Sequence, residues 1–346
     1  MFSKNQIQAA LLALSLLVSS APLYAAPAKY TLKFATLAPE GSTWMSEFNQ
    51  IKEEVTKATE GQVLLKVYPA GILGEEKDVL LKIKLGQIDG GAFGGHGREV
   101  ICPDSKALMQ PLLFRDYDEV DAVFSKMRAY LENQSKQNGF IALGWTEIGF
   151  SYLYSTTPVV SIENLRAAKP WLVPNDEALS ALFSEGKVSA IPVPVSDVLT
   201  ALQTGLIDTV FGPPVIAVAM QWFTRVKYRN DLRLLYSFGG LFVSDRSWSK
   251  IPEQMREPIM DICRKHLSTL TARSRSDNED AIKSMVSNGI QTVKSSDAEV
   301  QRFAEISKRA IDSLKARKLV STEAMNLVEQ SLVDFRESHG QTPAGR

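Results

Sequence analysis

Three histidines, His96, His266 and His339, are all the imidazoles of this 346-residue chain, so acid–base or zinc chemistry at neutral pH has few places to reside. His266 falls in a charged helix-forming run and His339 in the tail, and neither is spaced for a triad or a tetrahedral metal site. His96 differs. It follows a strand-forming segment inside Gly90-Gly-Ala-Phe-Gly-Gly-His96-Gly97, where a backbone without side chains lets a ligand or another segment approach closely. It reads either as a ligand contact or as a hydrogen-bonded structural histidine. The glycine run lacks the Gly-Lys-Ser/Thr of a phosphate cradle, and Arg98-Glu-Val-Ile-Cys-Pro103 follows instead. Glu40, Glu147 and Asp176 are candidate loop carboxylates, but no spacing sets two of them across a bond to be cleaved. The chain reads as holding no catalytic residue, no metal site and no cofactor, and not as an enzyme.

Charge and export narrow the classes further. Thirty-nine basic side chains balance 39 acidic ones, which leaves no electrostatic footprint for nucleic acid or an anionic membrane. Lys4 precedes an apolar run from Ile7 to Val18, too short to span a bilayer as a ~20-residue helix. With the small residues that follow, it reads as a signal peptide over 1–25, cleaved after Ala25, and no cysteine lies there to carry a lipid. The expected location is the periplasm. Cys102 and Cys263 would then meet an oxidising compartment, and sequence alone leaves open whether they pair.

The elements that must position these residues alternate between strand and helix. Tyr30 to Ala35 reads as a strand; Ser42 caps a helix on which Trp44, Phe48, Ile51 and Val55 recur at intervals of four, three and four. Val63 to Tyr68 is a second strand, and a helix from about Glu75 to Leu85 stops at Gly86 before a strand from Ile88 to Phe93. A helix carrying Val120, Val123, Met127 and Leu131 leads to a strand from Phe140 to Trp145. Val159 to Leu165 reads as a turn-containing connector, Pro170 to Val173 as a short strand, Glu177 to Glu185 as a helix, and Ile207 to Phe211 as a strand. A long apolar helix is expected from Pro213-Pro214 to about Tyr228, then separate strands near Leu232 to Tyr236 and Leu241 to Ser244. From Glu253 the chain reads as nearly all helical, and from Ser338 as a frayed tail.

Several segments in order resemble one family, the extracytoplasmic solute receptors of TRAP (tripartite ATP-independent periplasmic) transporters. They are Lys33-Phe-Ala-Thr-Leu-Ala-Pro-Glu-Gly-Ser-Thr-Trp44, Tyr68-Pro-Ala-Gly-Ile-Leu-Gly-Glu75, Leu85-Gly-Gln-Ile-Asp89, Pro111-Leu-Leu-Phe114 and Pro192-Val-Pro-Val-Ser-Asp-Val-Leu-Thr-Ala-Leu-Gln-Thr-Gly-Leu-Ile-Asp208. The resemblance implies an α/β, two-lobed periplasmic binding protein fold with crossing strands and a long connecting helix. The first lobe is expected over 26–148 plus about 238–277, the second over 149–237 plus about 278–337, and the tail over 338–346. It also implies a small-molecule ligand, TRAP membrane subunits as partners, and no nucleic acid.

The family's carboxylate-clamp arginine, in "L-K-G-L-K-I-R-V-P", aligns with Trp171, a second basic position with Ser151, and the asparagine of "D-G-x-E-N-P" with Gly212. A polar position after the first strand is Leu37. Each charge-assisted hydrogen bond is worth ~1.5–3 kcal/mol, so losing these anchors argues against the usual acid clamp. The expectation is a cleft lined by Trp171, Phe211, Trp44, Trp145 and Phe93, gripping a substantially hydrophobic or aromatic-stacked molecule, with His96 or Glu147 adding a polar contact. Arg98, Lys169 or a helix N-terminus are substitute donors for a carboxylate. The alternative function is a ligand-binding sensor or envelope-complex accessory without a transport role.

Overall fold

The computed structural model describes residues 29–174 and 176–340, so the expected signal peptide over 1–25 and the tail residues 341–346 lie outside the described residues. Strands β1 (Tyr30–Ala35) and β2 (Val63–Tyr68) lie parallel, joined by helix α1 (Thr43–Ala58), whose Met45 N–H donates to the capping Ser42 hydroxyl. Helix α2 (Glu76–Lys84) leads to β3 (Gly90–Phe93), which takes the other side of β1, Phe34 standing opposite both Val67 and Gly90. After the six-residue α3 (His96–Ile101), α4 (Tyr117–Gln137) carries Val120, Val123, Met127 and Leu131 into the core.

Strand β4 (Phe140–Ser155) runs 16 residues, well past the expected end at Trp145. The second lobe then assembles from α5 (Ile162–Ala167), β5 (Trp171–Leu172), α6 (Glu177–Gly186), β6 (Ile191–Pro192), α7 (Val198–Thr204), β7 (Thr209–Gly212), α8 (Pro214–Ala219) and β8 (Tyr228–Asn230). Strand β9 (Leu235–Ser244), α9 (Asp245–Trp248), the 35-residue α10 (Glu253–Ser287), β10 (Gln291–Val293), α11 (Asp297–Ala316) and α12 (Thr322–Ser338) complete the chain. The strand order is β10-β8-β4-β9-β3-β1-β2, with β7 also on β4. Strand β4 pairs antiparallel with β9 from Phe140 opposite Ser244 to Ser151 opposite Leu235, and its last residues, Tyr152 to Ser155, pair with β7. One strand thus belongs to both lobes.

Five local expectations change. The connector after Val159 contains helix α5, because the Ser161 side chain caps it and Ile162 and Leu165 are buried. The long apolar helix after Pro214 stops at Ala219: Gln221 turns left-handed (φ 59°), Trp222 goes to the lobe core, and Tyr228 joins β8. The strands expected either side of Gly239-Gly240 are one strand, since those glycines admit the Phe93 and Gly144 carbonyls at 2.7 and 3.0 Å from where a Cβ would stand. Strand β10 interrupts the C-terminal helices by pairing with β8. Helix α12, expected with the second lobe, packs Met325, Val328 and Leu332 into the first-lobe core beside α4.

Alternation along the strands divides the first-lobe core into two layers. Leu32, Phe34, Leu241 and Val243 face α1 and α10; Ala35, Phe238 and Phe242 face α4 and α12. The second lobe has its own core, from Leu153 to Leu314. At the crossing, the β4–β9 register shifts between Glu147 and Gly149, and Gly149 has φ +117°. The Asn278 carboxamide on α10 donates to the Ile148 carbonyl at 2.8 Å and accepts the Val215 N–H of α8 at 3.0 Å. A Cβ on Gly149 would stand 2.3 Å from Asn278 Nδ2. Gly149→Ala is therefore expected to destabilise the protein by about 2–4 kcal/mol, from a disfavoured φ plus a displaced side chain, as read by urea unfolding.

Candidate functional site

The glycine-rich loop after β3 is occupied by the protein itself. Glu76, at the first position of α2, accepts backbone N–H groups from Gly94 (2.8 Å), Gly95 (3.1 Å) and Gly97 (2.6 Å). The segment whose approach the glycines permit is thus α2, and its carboxylate takes the place of an external anion. Burial raises the Glu76 pKa above the usual carboxylate range against the pull of those N–H groups.

The next residue inward is Arg98, with none of its surface exposed. Its Nε donates to the Gly94 carbonyl at 3.4 Å, its guanidinium lies over the Phe238 ring at 4.6 Å, and Nη2 reaches Met109 Sδ and Glu99 (3.5 Å). Nη1 has no hydrogen-bond partner among the described residues. Burial holds the Arg98 pKa below its ordinary value, opposed by Glu99 and Glu76. Lys106 Nζ takes the other Glu99 oxygen at 3.3 Å.

Across from this cluster stands the second lobe's Asp176, which caps α6 by accepting the Leu179 N–H at 2.8 Å. Met109, Pro111 and Leu235 line a cavity of about 10 Å³ with Asp176 and Leu179, so the lobes meet here with little room between them. Burial first, then the Glu99 carboxylate, pushes Asp176 up to about 6.

The expected aromatic lining is distributed among separate cores. Trp171 is buried in the second lobe, its indole N–H bonded to the Val193 carbonyl at 2.8 Å and its ring edge-on to Trp222. Phe211 packs on Phe183 beside a small apolar cavity of the same core. Phe93 and Trp145 both pack on Phe242 in the layer facing α4, while half-buried Trp44 stacks on Phe48 in the opposite layer. Glu147 is held by Arg275 (2.9 Å) and the Tyr236 hydroxyl (3.3 Å), and burial raises its pKa against those contacts. Ser151 pairs with the Ser237 hydroxyl at 3.0 Å, and a Cβ on Gly212 would touch Trp222 at 3.2 Å. Leu37 is half-buried against Gly71; His96, also half-buried, makes no hydrogen bond among the described residues. Lys169 turns outward to the Gly205 carbonyl.

His266 is a structural tie: its Nδ1 lies 2.8 Å from buried Glu47 and its Nε2 3.1 Å from Glu54, joining α10 to α1. Both cysteines are free and buried, with thiols pushed up to about 12 chiefly by burial. Among the described residues no group of His, Cys, Asp or Glu is arranged to hold a metal ion, and no helix is long and apolar enough to cross a membrane.

Residues 34–318 match the model of the bacterial extracellular solute-binding proteins, family 7 (DctP). The chain belongs to this family. Its relatives are solute-binding receptors, among them a solute-binding protein of Roseobacter denitrificans, 26% identical over 75% of this chain and 79% of that one. The sialic acid-binding periplasmic protein SiaP of Vibrio cholerae is 23% identical over 83% of this chain and 88% of its own. A TRAP periplasmic solute-binding protein of Xanthobacter autotrophicus, solved with bound β-D-galacturonate, superposes with a TM-score of 0.80 at 19% identity, covering 87% of this chain and 99% of that one. The two-lobed α/β binding-protein fold and the transport role follow the family.

Sequence reading placed Arg98 among the substitute donors but missed Glu76, Glu99 and Lys106 as its neighbours. The visible signal was a carboxylate at a helix start 18 residues before Gly94 in the glycine run, which sequence has no means to pair. Two outcomes are expected. Trp171→Phe removes the indole donor to Val193 and costs about 1–3 kcal/mol in urea unfolding, with solute affinity intact; lost affinity at unchanged stability would make Trp171 a ligand contact. Because the folded-state pKa of Asp176 exceeds its unfolded value, its contribution is full at low pH and is lost as pH rises through about 6. Asp176→Asn keeps a good cap and should raise Tm above pH 6, the difference closing as pH falls towards 4.

Proposed function

We propose that this family 7 receptor captures a small organic acid with a substantially apolar body between its lobes and hands it to TRAP membrane subunits, working in the periplasm after removal of residues 1–25. The observation that carries the ligand class is Arg98, a wholly buried guanidinium whose Nη1 has no partner among the described residues. A buried donor left unpaired costs about 1–3 kcal/mol or more, a cost that an incoming carboxylate removes. The positions that align with the usual clamp, Trp171 and Gly212, carry no charge, so the anchor moves from the second lobe to the first. Sialic acid and galacturonate, named for two relatives, are acids of this general kind. The Ile148 side chain, which reaches within 2.9 Å of where a Gly94 Cβ would stand, supplies apolar surface near Arg98, whose Nε bonds the Gly94 carbonyl.

The test is calorimetry on acids that shift Tm in a small-carboxylate panel, supplemented by any solute seen by native mass spectrometry of the periplasmic protein. Arg98→Lys keeps the charge but loses the planar fork, and affinity should fall at least tenfold, about 1.4 kcal/mol. Unchanged affinity in a folded Arg98→Lys protein would remove Arg98 from the site.

A further inference from the structure

Carboxylates outnumber cations around Arg98. Glu99 is already held by Arg98 and Lys106, and Glu76 by the glycine-loop N–H groups. Asp176, facing them from the other lobe, has the Leu179 N–H but no ion pair among the described residues. A plain anion bound at Arg98 would add negative charge where Glu99 and Asp176 already repel one another. A solute carrying a cationic nitrogen as well as a carboxylate would not. We propose that the solute is a zwitterion, an amino-acid-like molecule whose carboxylate meets Arg98 Nη1 on the first lobe and whose cationic nitrogen meets Asp176 on the second. This rests on the reading of Arg98 as carboxylate anchor and names the other half of the site. The two charges of one small molecule then bridge the lobes, so binding and closure are the same event. Met109, Pro111 and Leu235, which line the gap with Asp176, make contact with its hydrocarbon part.

The test uses matched probes on the full mature protein: cyclic and branched 2-amino acids, each paired with the same skeleton lacking the amine, for example pipecolate against cyclohexanecarboxylate. Zwitterions are expected to raise Tm and to bind at least tenfold more tightly than their deaminated partners. Asp176→Asn should weaken the best zwitterion at least tenfold and tighten any plain carboxylate that binds. A panel in which deaminated acids bind as well as zwitterions, or in which no zwitterion binds, overturns the proposal. If plain acids bind, are weakened by Arg98→Lys and are tightened by Asp176→Asn, the anchor stands and the zwitterion falls. If zwitterions depend on Asp176 but not on Arg98, the anchor reading falls instead.

Discussion

The approach of the Asn278 carboxamide to the crossing strand is the constraint on which the arrangement of the lobes depends. It reaches the Ile148 carbonyl because Gly149 has no Cβ, and with its other end it fixes the first turn of α8 in the second lobe. Three elements that diverge elsewhere are tied at one amide, on a strand that already gives Phe140 to Ser151 to β9 and its last residues to β7. Backbone groups at such a crossing must be satisfied or hydrated, and a side chain that donates and accepts within one plane does this for both lobes.

From that tie the interlobe face follows. Asp176 caps helix α6, and α3 after the glycine loop carries Arg98 and Glu99, with Lys106 on the next turn, near it. Arg98 keeps its buried charge because Phe238, the Gly94 carbonyl and Glu99 surround it, and the loop that supplies Gly94 is pinned by Glu76. The order of dependence runs from a carboxylate at a helix start, through three glycine N–H groups, to the direction of one guanidinium. A charge buried this way is costly by itself, and it is retained where it has work at a site.

The aromatic residues have a different physical role. Five that a linear reading gathers into one cleft lie on different elements and pack into three separate cores. Trp171 and Phe211 complete the second-lobe core, Phe93 and Trp145 one layer of the first, and Trp44 caps the other.

By itself the sequence determined the two-lobed α/β architecture, most of its helices and strands, and the family. Those are properties of local periodicity, capping residues and ordered motifs, which need no knowledge of distant neighbours. Short elements such as α5 and β10, and the continuity of β9 through Gly239-Gly240, depended on partners far along the chain and were not legible. Only the tertiary structure decided that Glu76 fills the glycine loop, that Glu147 is spent on Arg275, and that Asp176 lines one interlobe gap with Met109, which Arg98 touches. Each is a charge placed by packing, and a charge in a sequence does not say which partner will desolvate it.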